Sequence, residues 1–170
     1  MSEADTPTAS LDDGTWRLTP EHSSVEFSVP HFYGLMHVKG HFDRFAGELN
    51  LERDPAATLT VEAASVDTGN RKRDEHLRSK DFFTVSDHPE LRFRSTAVQL
   101  RGNTLQVSGT LEALGRSQTL ELPLRVIPDA DGFDIEGSVQ LNQREIGLSW
   151  SPLGITRTPT TLSLRGRLVR

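Results

Sequence analysis

Side chains able to do chemistry crowd into one ten-residue stretch of this 170-residue chain, Asn70-Arg71-Lys72-Arg73-Asp74-Glu75-His76-Leu77-Arg78-Ser79. Asp74 and His76 stand two residues apart in it, a carboxylate and an imidazole of the kinds that move protons or bind a polar head group. Their spacing alone builds no catalytic constellation. Neither a nucleophile with a positioned base nor a pair of carboxylates flanking a bond is recognisable, and Asp67 and Asp74 straddle Gly69 at no fixed separation. Cysteine is absent, which removes thiolate ligands, thiol nucleophiles and disulfides together. The six histidines invite a metal reading, and His37 and His41 fall on one face of an alternating run. Lys39 shares that face, opposite the apolar one, so a solvated outer surface without metal is expected there. The glycines are isolated, and no phosphate-cradling loop is present.

The charged stretch reads as a helix, with Asn70 placed to cap its first turn and good helix formers behind it. Leu77 is its single apolar residue, so a broad greasy stripe cannot hold it; polar contacts or function must. Ser79 can cap a second short turn that delivers Phe82 and Phe83 as a bulky apolar pair. Two uses stay open for Arg73, Asp74 and His76: contact with a ligand head group, or pinning the insertion by salt bridges and capping bonds.

Almost everywhere else apolar and polar residues alternate with the period of two that a half-buried strand requires. Val25, Phe27 and Val29 share one face; so do Met36, Val38, Gly40 and Phe42, then Phe45, Gly47, Leu49 and Leu51. The same phase returns in Leu59, Val61 and Ala63; in Leu91, Phe93, Ser95 and Ala97; and in Leu105, Val107, Gly109, Leu111 and Ala113. It continues in Leu120, Leu122, Leu124 and Val126, in Phe133, Ile135, Gly137, Val139 and Leu141, and in Leu162, Leu164, Gly166 and Leu168. That makes roughly nine runs, or ten with a short one at Trp16. Turn chemistry at Asp54-Pro55, Gly102-Asn103, Gly115-Arg116 and Pro128-Asp129-Ala130-Asp131-Gly132 separates them. Short connections make neighbours antiparallel, and closure leaves no exposed sheet edge, so the fold class is an all-β, antiparallel up-and-down barrel with a short helical insertion. Small inward residues (Gly40, Gly47, Ala63, Ser95, Ala97, Gly109, Ala113, Gly137, Gly166) thin the lining and predict an apolar internal cavity rather than a filled core.

A net charge of −5 and scattered rather than striped cations exclude nucleic acid as a partner class. Residues 1–14, polar with a single Leu11, read as a disordered tail, and residues 15–170 as one barrel domain. No basic, apolar leader pattern opens the sequence and no run is long enough to span a bilayer, so a soluble, cytoplasmic protein is expected.

The motif itself carries a resemblance. Val66-Asp67-Thr68-Gly69 leading into Asn70 to Ser79, then Asp81-Phe82-Phe83, Pro89 and Phe93-Arg94-Ser95-Thr96, resembles the signature of the YceI-like family. Trp16 with Pro20 to Val29, Phe42-Asp43-Arg44-Phe45-Ala46-Gly47, Gly109-Thr110-Leu111, Leu141-Asn142 and Ile146-Gly147-Leu148 are similar to its other landmarks. The resemblance implies a lipocalin-like barrel whose lumen holds a long amphiphilic lipid, a polyprenyl chain or quinone tail, with no other cofactor. Three positions depart from the pattern: Leu114 stands where a histidine is usual, Pro30 replaces a basic residue, and Gln143 replaces an arginine.

The expected function is non-enzymatic binding, storage or transport of an isoprenoid-like lipid. Phe27, Val38, Phe42, Phe93 and Phe133 are expected to line the lumen, Phe82 and Phe83 to gate it, and Asn70, Arg73 and His76 to stand near its polar end. No catalytic residue and no metal ligand is assigned. Two rivals are a lipid-modifying enzyme using Asp74 and His76, and a ligand-free barrel that serves protein interaction, with a homodimer as one form.

Overall fold

The computed structural model describes residues 11–31, 36–79, 83–141 and 160–170. Its strand segments are β1 (Thr15–Leu18), β2 (Ser24–His31), β3 (Met36–Phe42), β4 (Phe45–Asn50), β5 (Ala56–Glu62), β6 (Val66–Asp67), β7 (Glu90–Arg101), β8 (Thr104–Ala113), β9 (Arg116–Pro128), β10 (Phe133–Leu141) and β11 (Thr160–Val169), with one α-helix, α1 (Arg71–Arg78). Every ladder is antiparallel, and β1 pairs with both β4 and β11, closing the sheet on itself.

The closed barrel has eight strands, fewer than the number of alternating runs in the sequence. β1 and β2 lie end to end along β11, with Leu18 opposite Leu168 and then Ser24 opposite Arg165. β3 and β4 likewise form one bent strand, since β3 pairs with β2 and β4 pairs with β1. β5 and β6 make the third, running antiparallel to β4 and then to β3. The alternation stops at Asp43 and Arg44 because the chain bends there, not because it turns back. Short 3-10 turns at Pro20–His22 and Ala63–Ser65 make the other two bends. Ser65 bridges the bends: its hydroxyl donates to Glu62 O at 2.7 Å and accepts from Arg44 N at 3.0 Å, while Asp43 N donates to Ser65 O at 3.1 Å.

One end of the barrel is sealed by Trp16 against Phe133, edge to face with ring centroids 4.9 Å apart. Phe133 is fully buried. Trp16 Nε1 donates to Asp12 O at 3.0 Å, the Arg170 guanidinium lies 5.0 Å from the Trp16 ring centroid, and Leu11 packs on the same cluster. Among the described residues, Leu11 and Asp12 thus already contact this end of the barrel. At this end Arg167 on β11 also binds Asp129 and Asp134, fastening the turn between β9 and β10.

Among the described residues, register departs from simple alternation at a bulge between Ser95 and Ala97. Beyond it the inward phase passes to Val98 and Leu100, and Ala97 is exposed, contrary to its expected inward position. The hairpin between β8 and β9 has Ala113 paired with Arg116, leaving a two-residue loop with φ of +55° at Leu114 and +71° at Gly115. Two positive φ values match the twist of the flanking strands, but leucine, unlike asparagine, is disfavoured there by its Cβ.

Two outcomes follow from these turns. Leu114→Asn should stabilise the protein by about 1 kcal/mol, a rise of roughly 2–4 °C in thermal midpoint by calorimetry. The Arg167 guanidinium, aided by the Asp131 and Gly132 amides, holds the Asp129 carboxyl far below its ordinary value of 3.8. A depressed carboxylate stabilises the fold fully above its unfolded-state pKa and loses that contribution as pH falls toward the folded value. Asp129→Asn should therefore lower the urea midpoint at pH 7, with the difference from wild type narrowing progressively below about pH 4.

Candidate functional site

The lumen is lined by the inward side chains of the strands and divides into two apolar clusters. One joins the sealed end to the middle of the barrel through Trp16, Leu49, Phe93, Leu105, Leu111, Leu124 and Phe133; the other gathers Val25, Phe42, Val61, Ala63, Val66 and Phe83 toward the end that carries α1. Between them lies an apolar cavity of about 100 Å³, bordered by Leu18, Leu49, Leu59, Phe93, Leu122 and Leu162 among others. A dry hydrocarbon cavity of ~150 Å³ is enough to take a benzene. Among the described residues the barrel thus encloses a real hollow, and this cavity is smaller than one a prenyl chain fills.

The aromatic residues expected to line the lumen divide by position. Phe93 borders the cavity. Phe42 is buried above it, its ring centroid 5.5 Å from that of Phe27 and 6.0 Å from that of Phe83. Phe133 belongs to the sealed floor and Val38, half-buried, pairs with Val29 near the far end of β2; neither Phe133, Val38, Phe27 nor Phe42 borders the cavity. Phe82 lies outside the described residues.

Few of the small inward residues contribute to the hollow, contrary to the expectation from their number: of the nine, Gly47 borders it. A Cβ on Gly40 would come within 2.5 Å of Phe27 Cζ, one on Gly109 within 2.3 Å of Arg94 O, and one on Gly166 within 2.5 Å of Leu18 Cδ2. These glycines mark places where a neighbour's side chain or backbone crosses the strand, so their space is already filled. The free volume is bounded chiefly by leucines instead. Leu18 was not among the inward sets read from the sequence; its signal was its position two residues after Trp16 on a strand too short to show periodicity.

The helix above the lumen is held by polar bonds, as its lack of apolar residues requires. Asn70 caps it, Oδ1 accepting from Arg73 N at 3.1 Å. Asp74 is buried, and its Oδ1 accepts from Thr68 N at 2.9 Å and from Thr68 Oγ1 at 2.5 Å. Arg73 completes the knot, Nε donating to Thr68 Oγ1 and a terminal nitrogen to Thr68 O, both at 2.8 Å. Arg78 reaches down the other side to Ala64 O at 2.8 Å and Val66 O at 3.1 Å. Leu77 packs into the Phe42–Phe83 cluster, and Phe83 N donates to Leu77 O at 3.0 Å. The Ser79 hydroxyl donates back to His76 O at 2.5 Å, and the second short turn expected after it begins at positions outside the described residues.

Arg73 and Asp74 are therefore engaged with Thr68, while Asn70 and His76 are exposed on the helix. The structure brings Asn70, Arg73 and His76 to the same end of the barrel, over the aromatic cluster rather than in contact with the cavity. With the Asp74 carboxylate spent on Thr68, Asp74→Ala strands a buried amide and hydroxyl. The expected loss is about 1–3 kcal/mol, seen as a lower denaturant midpoint together with faster proteolysis within Arg71–Arg78, whereas Glu75→Ala at an exposed position leaves both unchanged.

Comparison with known proteins agrees with this architecture. A profile of the YceI-like domain matches residues 16–167. The protein YceI of Escherichia coli O157:H7 is 32% identical over 144 residues, covering 78% of this chain and 75% of that protein. The crystal structure of BcnA from Burkholderia cenocepacia superposes with a TM-score of 0.78 at 20% identity, covering 90% of this chain and 99% of that one. A polyisoprenoid binding domain from Saccharophagus degradans superposes with a TM-score of 0.73 at 16% identity, covering 91% and 97% respectively. Among the described residues no helix is long and apolar enough to cross a membrane.

Proposed function

The chain belongs to the YceI-like family, and from that premise we propose that it is a non-enzymatic carrier or store for an isoprenoid-like amphiphilic lipid, a polyprenyl chain or the tail of a quinone. The observation that carries this reading is the apolar hollow at the centre of a closed barrel, blocked at one end by Trp16 and Phe133 and covered at the other by an aromatic cluster beneath a polar helix. The isoprenoid class is supported by the binding described for the Saccharophagus degradans domain. A non-enzymatic role is supported by the use of Asp74 to hold Thr68, which takes it away from any proton transfer with His76.

The tail would lie in the lumen and the head group near Asn70, Arg73 and His76. Since the hollow of about 100 Å³ is smaller than such a tail, admission requires the Phe27–Phe42–Phe83 cluster to move aside, which gives Phe83 the role of gate. The driving force is apolar burial, up to about 0.8 kcal/mol for each methylene removed from water. Affinity should therefore rise with each added isoprene unit and level off when the lumen is full.

Native mass spectrometry of gently purified protein tests the reading directly, with a discrete co-purifying lipid mass as the expected result. A bare chain that also fails to bind any member of a prenyl-alcohol series by fluorescence displacement would overturn it. Leu122→Trp, which places an indole at the cavity wall, should reduce prenyl binding about tenfold or more with the barrel's circular dichroism unchanged.

A further inference from the structure

The outer wall beside the strand bends holds a second constellation that the lumen does not use. His41 lies near the end of β3 and Asp43 in the bend just beyond it. Asp67 is the direct cross-strand partner of His41 in the ladder between β3 and β6. One ligand atom from each of the three lies within 4.8 Å of the others. His41 Nε2 is 2.9 Å from Asp43 Oδ1 and 3.9 Å from Asp67 Oδ2. Two donors on a tetrahedral ion with bonds of about 2.1 Å are roughly 3.4 Å apart, so these two distances bracket the separation that zinc requires.

We propose that His41, Asp43 and Asp67 form a binding site for a transition-metal dication, zinc first, with one or more waters completing its coordination. Neutral imidazole plus two carboxylates supplies a charge of −2, which a dication neutralises, and the imidazole favours zinc or cobalt over magnesium and calcium. The ligands are already oriented. Gly69 N donates to Asp67 Oδ1 at 2.8 Å, directing Oδ2 toward His41 in the manner of an outer-shell bond that fixes a metal ligand. Asp43 is held by the bond from its backbone N to Ser65 O. Glu26 stands across from His41 on β2 and adds a further carboxylate to the local field, while Lys39, two residues before His41, is the cation beside it. All three ligands are about half exposed, so an ion reaches them without any opening of the fold. The alternating pattern could not have shown this grouping: Asp67 is 26 positions from His41 in sequence, and it is the bent third strand that brings it alongside.

Such an ion would brace the bend between β3 and β4 against β6, whose next residue, Thr68, anchors α1. The proposal stands apart from the lipid reading and is tested without any lipid. Full-length protein stripped with a chelator is titrated with zinc chloride by calorimetry, with magnesium as control, and cobalt is followed by its visible absorption. One zinc per chain at this site, no response to magnesium and a cobalt spectrum of low coordination number are expected. His41→Ala should abolish that binding event and Asp67→Asn should weaken it about tenfold or more. Zinc should raise the melting temperature of the wild type but not of His41→Ala. The other histidines provide the competing outcome: zinc uptake unchanged in His41→Ala, or no saturable uptake by the wild type, overturns the site. His41 is exposed and Asp67 half-buried, and circular dichroism of each variant without metal confirms that a lost signal is not a lost fold.

Discussion

Closure of the sheet is the constraint on which the rest depends. Because β1 meets β11 as well as β4, the meander leaves no continuous free edge at its seam, and its inward side chains face one another instead of water. An enclosed apolar interior then follows from alternation alone. So does the polar character of everything outside it: the charged residues of β7 and β9 have nowhere to go but the exterior. What the interior can hold is set by its lining and by what the two ends allow through.

The two ends are built on different chemistry. Trp16 and Phe133, packed edge to face, with the Arg170 guanidinium over the Trp16 ring, make an interlocked floor. At the other end the cover is a short helix that could not fold alone, since eight residues form too few internal bonds to offset the cost of nucleation. Its stability is borrowed from Thr68, through Asp74 and Arg73, and from the carbonyls of Ala64 and Val66, through Arg78. The charged motif is conspicuous in the sequence for this reason: apart from Leu77, the positions that would be greasy in an ordinary surface helix hold residues able to form directed bonds.

Much of the architecture was legible because burial on a strand writes a period of two. Phases such as Leu120-Leu122-Leu124-Val126 read directly as an inner face, and Asn70 announced the helix it caps. Strand number was less legible: Asp43 and Arg44 interrupt the pattern in the same way whether a chain bends or reverses, and only the pairing partners distinguish the two. The bulge after Ser95 shifted the phase without any glycine or proline within β7 to mark it. Within the site, size was a misleading guide. A glycine says that something passes close by, not that space is left over, so the position of the hollow depended on which leucines face each other across the barrel. Contacts such as Asp43 and Asp67 with His41 arise from the bend and could be seen only after the strands were in place.

The three bends have one mechanical implication. They fall at a common level, at Pro20–His22, at Asp43–Arg44 and at Ala63–Ser65, on three adjacent strands. Each strand is thereby jointed, with one hydrogen-bonded ladder below the joint and a separate one above it. A vessel made this way can dilate at its mouth while its base keeps every rung, so its resting volume sets no fixed ceiling on its capacity.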